Sequence, residues 1–297
     1  SYMGGLNGAW TLFDDKMDIG GNYMYTNTSK DITEKSSKTT FLPEERSLLV
    51  DSDGGSHTGT YGNRIGMRLE HKFSENTSII FQPQVNFGGG SYWQKNASET
   101  ANGEGGVYSK SNSSTSDNGG ANKNWSASGF GLLRQRLGKP GRTLTVMGRY
   151  SFSNNNMDGY NISNVWTGYD AVSKEWTELT KVNQTIDQNS KTKSMFGRAT
   201  YTEPLGKNFF IEANYGFRWS DSESVKNTYD EDKGHVLEVT YSNRIINRST
   251  AHEMGANVLY QRDKGRLQLG FSANPTHTYN ETTRNGQVQN YDDDRWR

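Results

Sequence analysis

Arg64, Arg68 and Glu70 are separated only by even steps, and so are Glu212 and Arg218. Even spacing puts side chains on one face of an extended chain. Arg149, Arg198 and Glu253 occupy the same kind of polar position in other alternating stretches. Guanidiniums and carboxylates gathered on one wall have two uses. They can handle anionic or hydrogen-bonding solutes, or they can hold the wall and its contents together through ion pairs. The supply of acids on the same face favours the second use.

Other chemistry is sparse. His57, His71, His235, His252 and His277 are scattered, and none has metalloprotease spacing. No cysteine is present, which excludes disulfides, thiol nucleophiles and cysteine-ligated metals. No nucleophile elbow or phosphate loop is recognisable. The expectation is therefore of a non-enzyme, with no catalytic residue, cofactor or resident metal. The acids Asp230, Glu231 and Asp232, and Asp292, Asp293 and Asp294, have the oxygen chemistry for Ca²⁺ but no EF-hand spacing, so solvated loop charge is expected. Trp166, Tyr169, Trp176 and Tyr229 fall in polar stretches, where they would contact a ligand, bury in a partner lipoprotein or pack within their own loop.

These residues need elements to position them. The segment "NFFIEANYGFRWSDS" (208–222) alternates: Phe209, Ile211, Ala213, Tyr215, Phe217 and Trp219 are apolar, and the positions between are nearly all polar. That is a strand with one apolar and one wet face. Alternation recurs at about ten places: 4–13, 17–27, 59–73, 78–93, 125–137, 143–155, 193–203, 209–222, 251–262 and 266–280. The segment 125–137 is irregular, because Arg134 and Arg136 share parity with Phe130 and Leu132, as a bulge would produce.

The connections alternate as well. "DDK" (14–16), "SENT" (74–77), "GKPGR" (138–142), "PLGKN" (204–208) and "KGR" (263–265) are tight turns. The stretches 28–58, 94–124, 156–192 and 223–250 read as long polar loops, with part of 235–248 extending strands. Short turns on one side and long loops on the other predict an all-β, antiparallel, up-and-down transmembrane β-barrel.

Composition agrees. Only 31% of residues are hydrophobic and mean hydropathy is −0.92, yet 12% are aromatic. A wall with a wet inner face and wet loops needs little apolar sequence, whereas a disordered chain would lack the aromatics. Trp10, Tyr25, Tyr61, Phe73, Phe87, Tyr92, Trp93, Trp125, Phe152, Phe209, Trp219, Tyr260 and Tyr279 cluster near strand ends, as interfacial girdles do. Zero net charge gives no reason to expect nucleic acid.

Two hairpins carry a family likeness. "NRIGMRLEHKFSENTSIIFQPQVNFGGGSYWQ" (63–94) and "GLLRQRLGKPGRTLTVMGRYSF" (131–152) resemble recurring hairpins of the outer-membrane barrels of TonB-dependent receptor-like proteins of the Bacteroidetes type. The resemblance implies nutrient uptake through a barrel of about 22 strands. It implies outer-membrane lipid, a plug domain and the TonB complex as partners, with long loops outside the cell and short turns in the periplasm. The ligand is left open among glycan, peptide and metal complex. Both ends of this chain fall on the long-loop side, so a single barrel segment over 1–297, without plug, leader or final strands, is the expectation, with "NGQVQNYDDDRWR" (285–297) an unfinished loop. The competing readings are a structural or adhesive barrel without transport, an outer-membrane enzyme and a secreted sugar-binding β protein.

Overall fold

The computed structural model describes residues 1–262 and 265–296. Among them there is no helix, and thirteen strands form one antiparallel sheet. In chain order they are β1 (Tyr2–Leu12), β2 (Met17–Leu42), β3 (Arg46–Ser74), β4 (Thr77–Glu104), β5 (Val107–Arg136), β6 (Thr143–Asp170), β7 (Glu175–Pro204), β8 (Phe209–Asp230), β9 (Val236–Leu237), β10 (Asn243–Arg262), β11 (Gly265–Ala273), β12 (Thr276–Arg284) and β13 (Gln287–Arg295). Each long strand pairs with its sequence neighbour, which is the up-and-down order the alternation predicts. No pairing joins β1 to β13 among the described residues, so the sheet is open.

Nine of the ten predicted strands lie within an observed one to within a residue, but most of the four long loops is strand. β2 runs on to Leu42 and β3 starts at Arg46, so 28–58 is a hairpin with its turn at 43–45. β5 and β7 each have 30 residues, about 100 Å of extended chain. Outside an apolar layer both faces are wet, so these halves carry no alternation, and hydroxyl pairs such as Ser36–Ser52 at 2.7 Å and Ser98–Ser114 at 2.8 Å join them instead. Gly105 and Gly106, at φ 57° and 82°, turn β4 into β5 in two residues. Asn285 and Gly286, at φ 52° and 71°, do the same between β12 and β13, so the tail expected to be an unfinished loop is a hairpin.

Two details differ further. The expected strand 266–280 is broken at Asn274–Pro275 into β11 and β12, but both halves pair with β10 in one continuous register: Ala273 faces Met254 and Thr276 faces Ala251. The parity conflict in 125–137 is not a bulge, because pairing with β4 is regular throughout that stretch. Phe130 and Leu132 do share the polar face with Arg134, while the other face carries Trp125, Ala127, Gly129, Gly131 and Leu133. The tight turn expected at 263–265 lies largely outside the described residues.

The sheet is a single layer with almost no core. Ile80 and Ile246 are the buried hydrophobic side chains among the described residues. The chain exposes 19687 Å², where a compact protein of its 33.3 kDa would expose about 12,600 Å².

Candidate functional site

Register defines the two faces. Residues directly opposite on paired strands point the same way, so a row can be followed across the sheet. One row reads Arg68, Gln82, Phe130, Arg149, Phe196, Arg218 from β3 to β8. The next row toward the long hairpins reads Gln84, Ser128, Ser151, Ser194, Ser220, and reaches Ser249 on β10. Arg64, Glu70, Arg198, Glu212 and Glu253 have the same parity. The register thus gathers every one of the candidate wall residues on one face.

That face is concave. A hollow of about 970 Å³ is lined from β1 through β8, which a flat sheet could not do. Its charged lining is Arg64, Arg68, Arg149 and Arg218, with no carboxylate. A second hollow of about 760 Å³ adjoins it, sharing Arg218 and adding Arg198 and Glu253.

The ion pairs expected along this wall form only in part. Arg68 reaches Glu70 at 3.0 Å and Arg218 reaches Glu253 at 3.2 Å. Arg64 donates to Gln84 at 2.7 Å and Arg198 to Asn214 at 3.0 Å, and neither has a carboxylate partner among the described residues. The Nε of Arg198 is buried without an acceptor. Arg149 lies 5.2 Å from the centre of the Phe130 ring, and Arg218 lies 4.9 Å from that of Phe196. Neither Phe130, which falls in the irregular segment 125–137, nor Phe196 is among the candidates the sequence offers. Their signal was shared parity with arginine, which is the geometry of a cation–π pair across strands.

The opposite face carries an apolar band. Met195 is 50% exposed, Leu269 66% and Phe271 74%. The band covers about 65–73 on β3, 79–87 on β4, 125–133 on β5, 144–152 on β6, 195–201 on β7, 209–219 on β8, 254–260 on β10 and 267–273 on β11. Its upper edge is diagonal. Trp125 marks it on β5, but its partner on β6 is Asn154, and Phe152 takes over two residues lower. Phe152 in turn pairs with Lys193, and Met195 takes over on β7. A level layer crossing tilted strands produces such a descent. On this face Tyr150 lays its ring over Gly129, where any Cβ would come within 2.3 Å of the ring.

The aromatic loop candidates do not converge. Tyr169 and Trp176 pair at 5.0 Å near the tip of the β6–β7 hairpin, with Lys110 over Tyr169. Trp166 belongs to the same hairpin but to the other face, opposite Leu179. Tyr229 sits on β8, stacked 4.2 Å from His235. The acidic clusters are taken up by their own neighbours: Asp230 by Lys233, Asp232 by Asn183, and Asp294 by His277. Among the described residues no group of three or more histidines and acids is arranged to hold a metal.

No family model matches the chain, and no curated protein does. Among solved structures it is similar to the outer membrane protease OmpT from Escherichia coli, at 13% identity and a TM-score of 0.29, over 94% of this chain and 93% of that one. That match corrects the non-enzyme expectation: the protein matched is a protease, so an up-and-down sheet of this kind is no ground for excluding catalysis. So distant a likeness transfers no activity to this chain.

Proposed function

We propose that this chain is wall of an outer-membrane β-barrel receptor or transporter, with the apolar band in lipid and the arginine-lined hollow facing the lumen. One observation carries the reading: the diagonal, exposed apolar band, between about seven and eleven residues deep from strand to strand, close to the depth a tilted strand needs to cross the hydrocarbon layer. In water that surface would be an aggregation site. Lipid is the medium in which it is stable.

The short turns then face the periplasm and the long hairpins stand outside the cell. TonB-coupled uptake, a plug in the hollow, a surface lipoprotein on the hairpins and a parent barrel of about 22 strands are further parts of the proposal, supported by the likeness of 63–94 and 131–152 to receptor hairpins. Outer-membrane fractionation followed by gel mobility with and without heating tests the barrel. A heat-shifted band supports it, and a soluble detergent-independent monomer overturns it.

A further inference from the structure

We infer that the concave hollow binds dianionic solutes whose two charged groups lie about 10 Å apart, the width of two strand spacings. The inference rests on the reading of this face as the lumen wall. Arg149 on β6 and Arg218 on β8 share one register row with β7 between them. Each guanidinium is drawn over a phenyl ring of the preceding strand, Phe130 and Phe196. The strands that carry the two arginines stand two spacings apart, about 10 Å, and each head leans over a ring of the strand before it.

The charge around this pair is one-sided. Four arginines and no carboxylate line the hollow. Glu70 and Glu253 balance Arg68 and Arg218 from outside its lining. Arg64 and Arg149 are left without a carboxylate among the described residues. Arg149 also makes no hydrogen bond there, so its five N–H donors are open to a ligand. Ser128, Ser151, Ser194 and Ser220 line the hollow beside it and add small hydroxyl donors without filling it. A cleft of one sign backed by a thin wall in a low-dielectric layer concentrates counter-ions. A dianion with matching spacing meets Arg149 and Arg218 together, whereas a shorter one reaches a single guanidinium.

The test uses the full chain with its native flanking sequence, purified in detergent as a heat-modifiable species. Calorimetric titration compares acetate, succinate, suberate and azelate as probes. The expected result is saturable, salt-sensitive binding that strengthens toward suberate and azelate. Arg149→Gln and Arg218→Gln should each weaken it at least tenfold and remove the length preference. Lys123→Gln, on the opposite face, should leave it unchanged. Absence of saturable binding, equal affinity for all four probes, or wild-type affinity in both arginine variants overturns the inference while the barrel reading stands. Loss of heat modifiability in the unmutated protein overturns both.

Discussion

Ala199→Arg separates lipid from water as the medium outside the sheet. Ala199 lies between Met195 and Tyr201 in the apolar band of β7. Its cross-strand partners are Val146 and Tyr215, and the diagonal positions carry Leu144, Gly148, Ala213 and Phe217. None of these is an acid that could pair with a new guanidinium. An arginine at the mid-depth of a barrel's lipid face costs about 2–4 kcal/mol. That is a roughly 30- to 800-fold loss in the folding equilibrium, at about 1.4 kcal/mol per tenfold. On a surface facing water the same change would stay within about 0.5 kcal/mol. Thr202→Arg is the control, because Thr202 lies on the concave face opposite Glu212. Both variants are compared by urea titration of the heat-shifted band in lipid vesicles. Ala199→Arg should shift the midpoint far below that of Thr202→Arg. Equal midpoints for the two would refute the lipid-facing assignment.

Three further outcomes are expected. The chain has no cysteine, so single-cysteine labelling reports orientation cleanly: Val172→Cys, at the β6–β7 tip, should react with an impermeant maleimide on intact cells, and Leu205→Cys only after permeabilisation. Glu203, at the short-turn end of β7, accepts two hydrogen bonds from Arg142, and this guanidinium, with Tyr201 and Lys139, lowers its pKa to about 2. A lowered carboxylate pKa stabilises above the unfolded value near 4.5, so the hold on the β5–β6 turn should be complete there and fade as pH falls toward 2, with Glu203→Gln removing that dependence in hydrogen exchange of the turn. His277 is shifted the other way, raised by its contacts with Asp294 and Asp292, so the β12–β13 hairpin should be best protected below pH 6.5 and loosen as pH rises through the raised pKa; flat protease sensitivity between pH 5 and 9 would contradict this.

The membrane-level half of the fold was legible because each of its faces meets a different medium. Ile65, Met67 and Leu69 against Arg64, Arg68 and Glu70 encode a register that hydrogen bonding then follows. The other half was not legible. Segments such as "KNASETANGE" (95–104) have two wet faces, and period-two hydropathy vanishes although the strand continues. Only local turn chemistry marks those hairpins, Gly105–Gly106 and Asn285–Gly286, and within long polar stretches such pairs pass equally for loop composition. The arginine wall was legible by parity alone. Its pairing was not, because whether Arg149 meets an acid depends on which strand lies beside β6, and that strand presents Phe130 in the matching row.

An open sheet of this kind sets a condition on the barrel. β1 and β13 are edge strands, and the outer side of β11 is unpaired among the described residues. Along the apolar band those edges would place bare N–H and C=O groups in hydrocarbon, at several kcal/mol for each group left unsatisfied. The band on β11 includes Leu267, Leu269 and Phe271, so its unpaired side lies at lipid depth and not among the wet hairpins. A lipid-facing sheet therefore requires strands against both edges, whether by curling on itself or by pairing with others. Hydrogen exchange discriminates. Amides along the outer side of β1 and β11 should be as protected in the assembled outer-membrane protein as those of β6, and fast exchange there would mean that the sheet does not close in lipid.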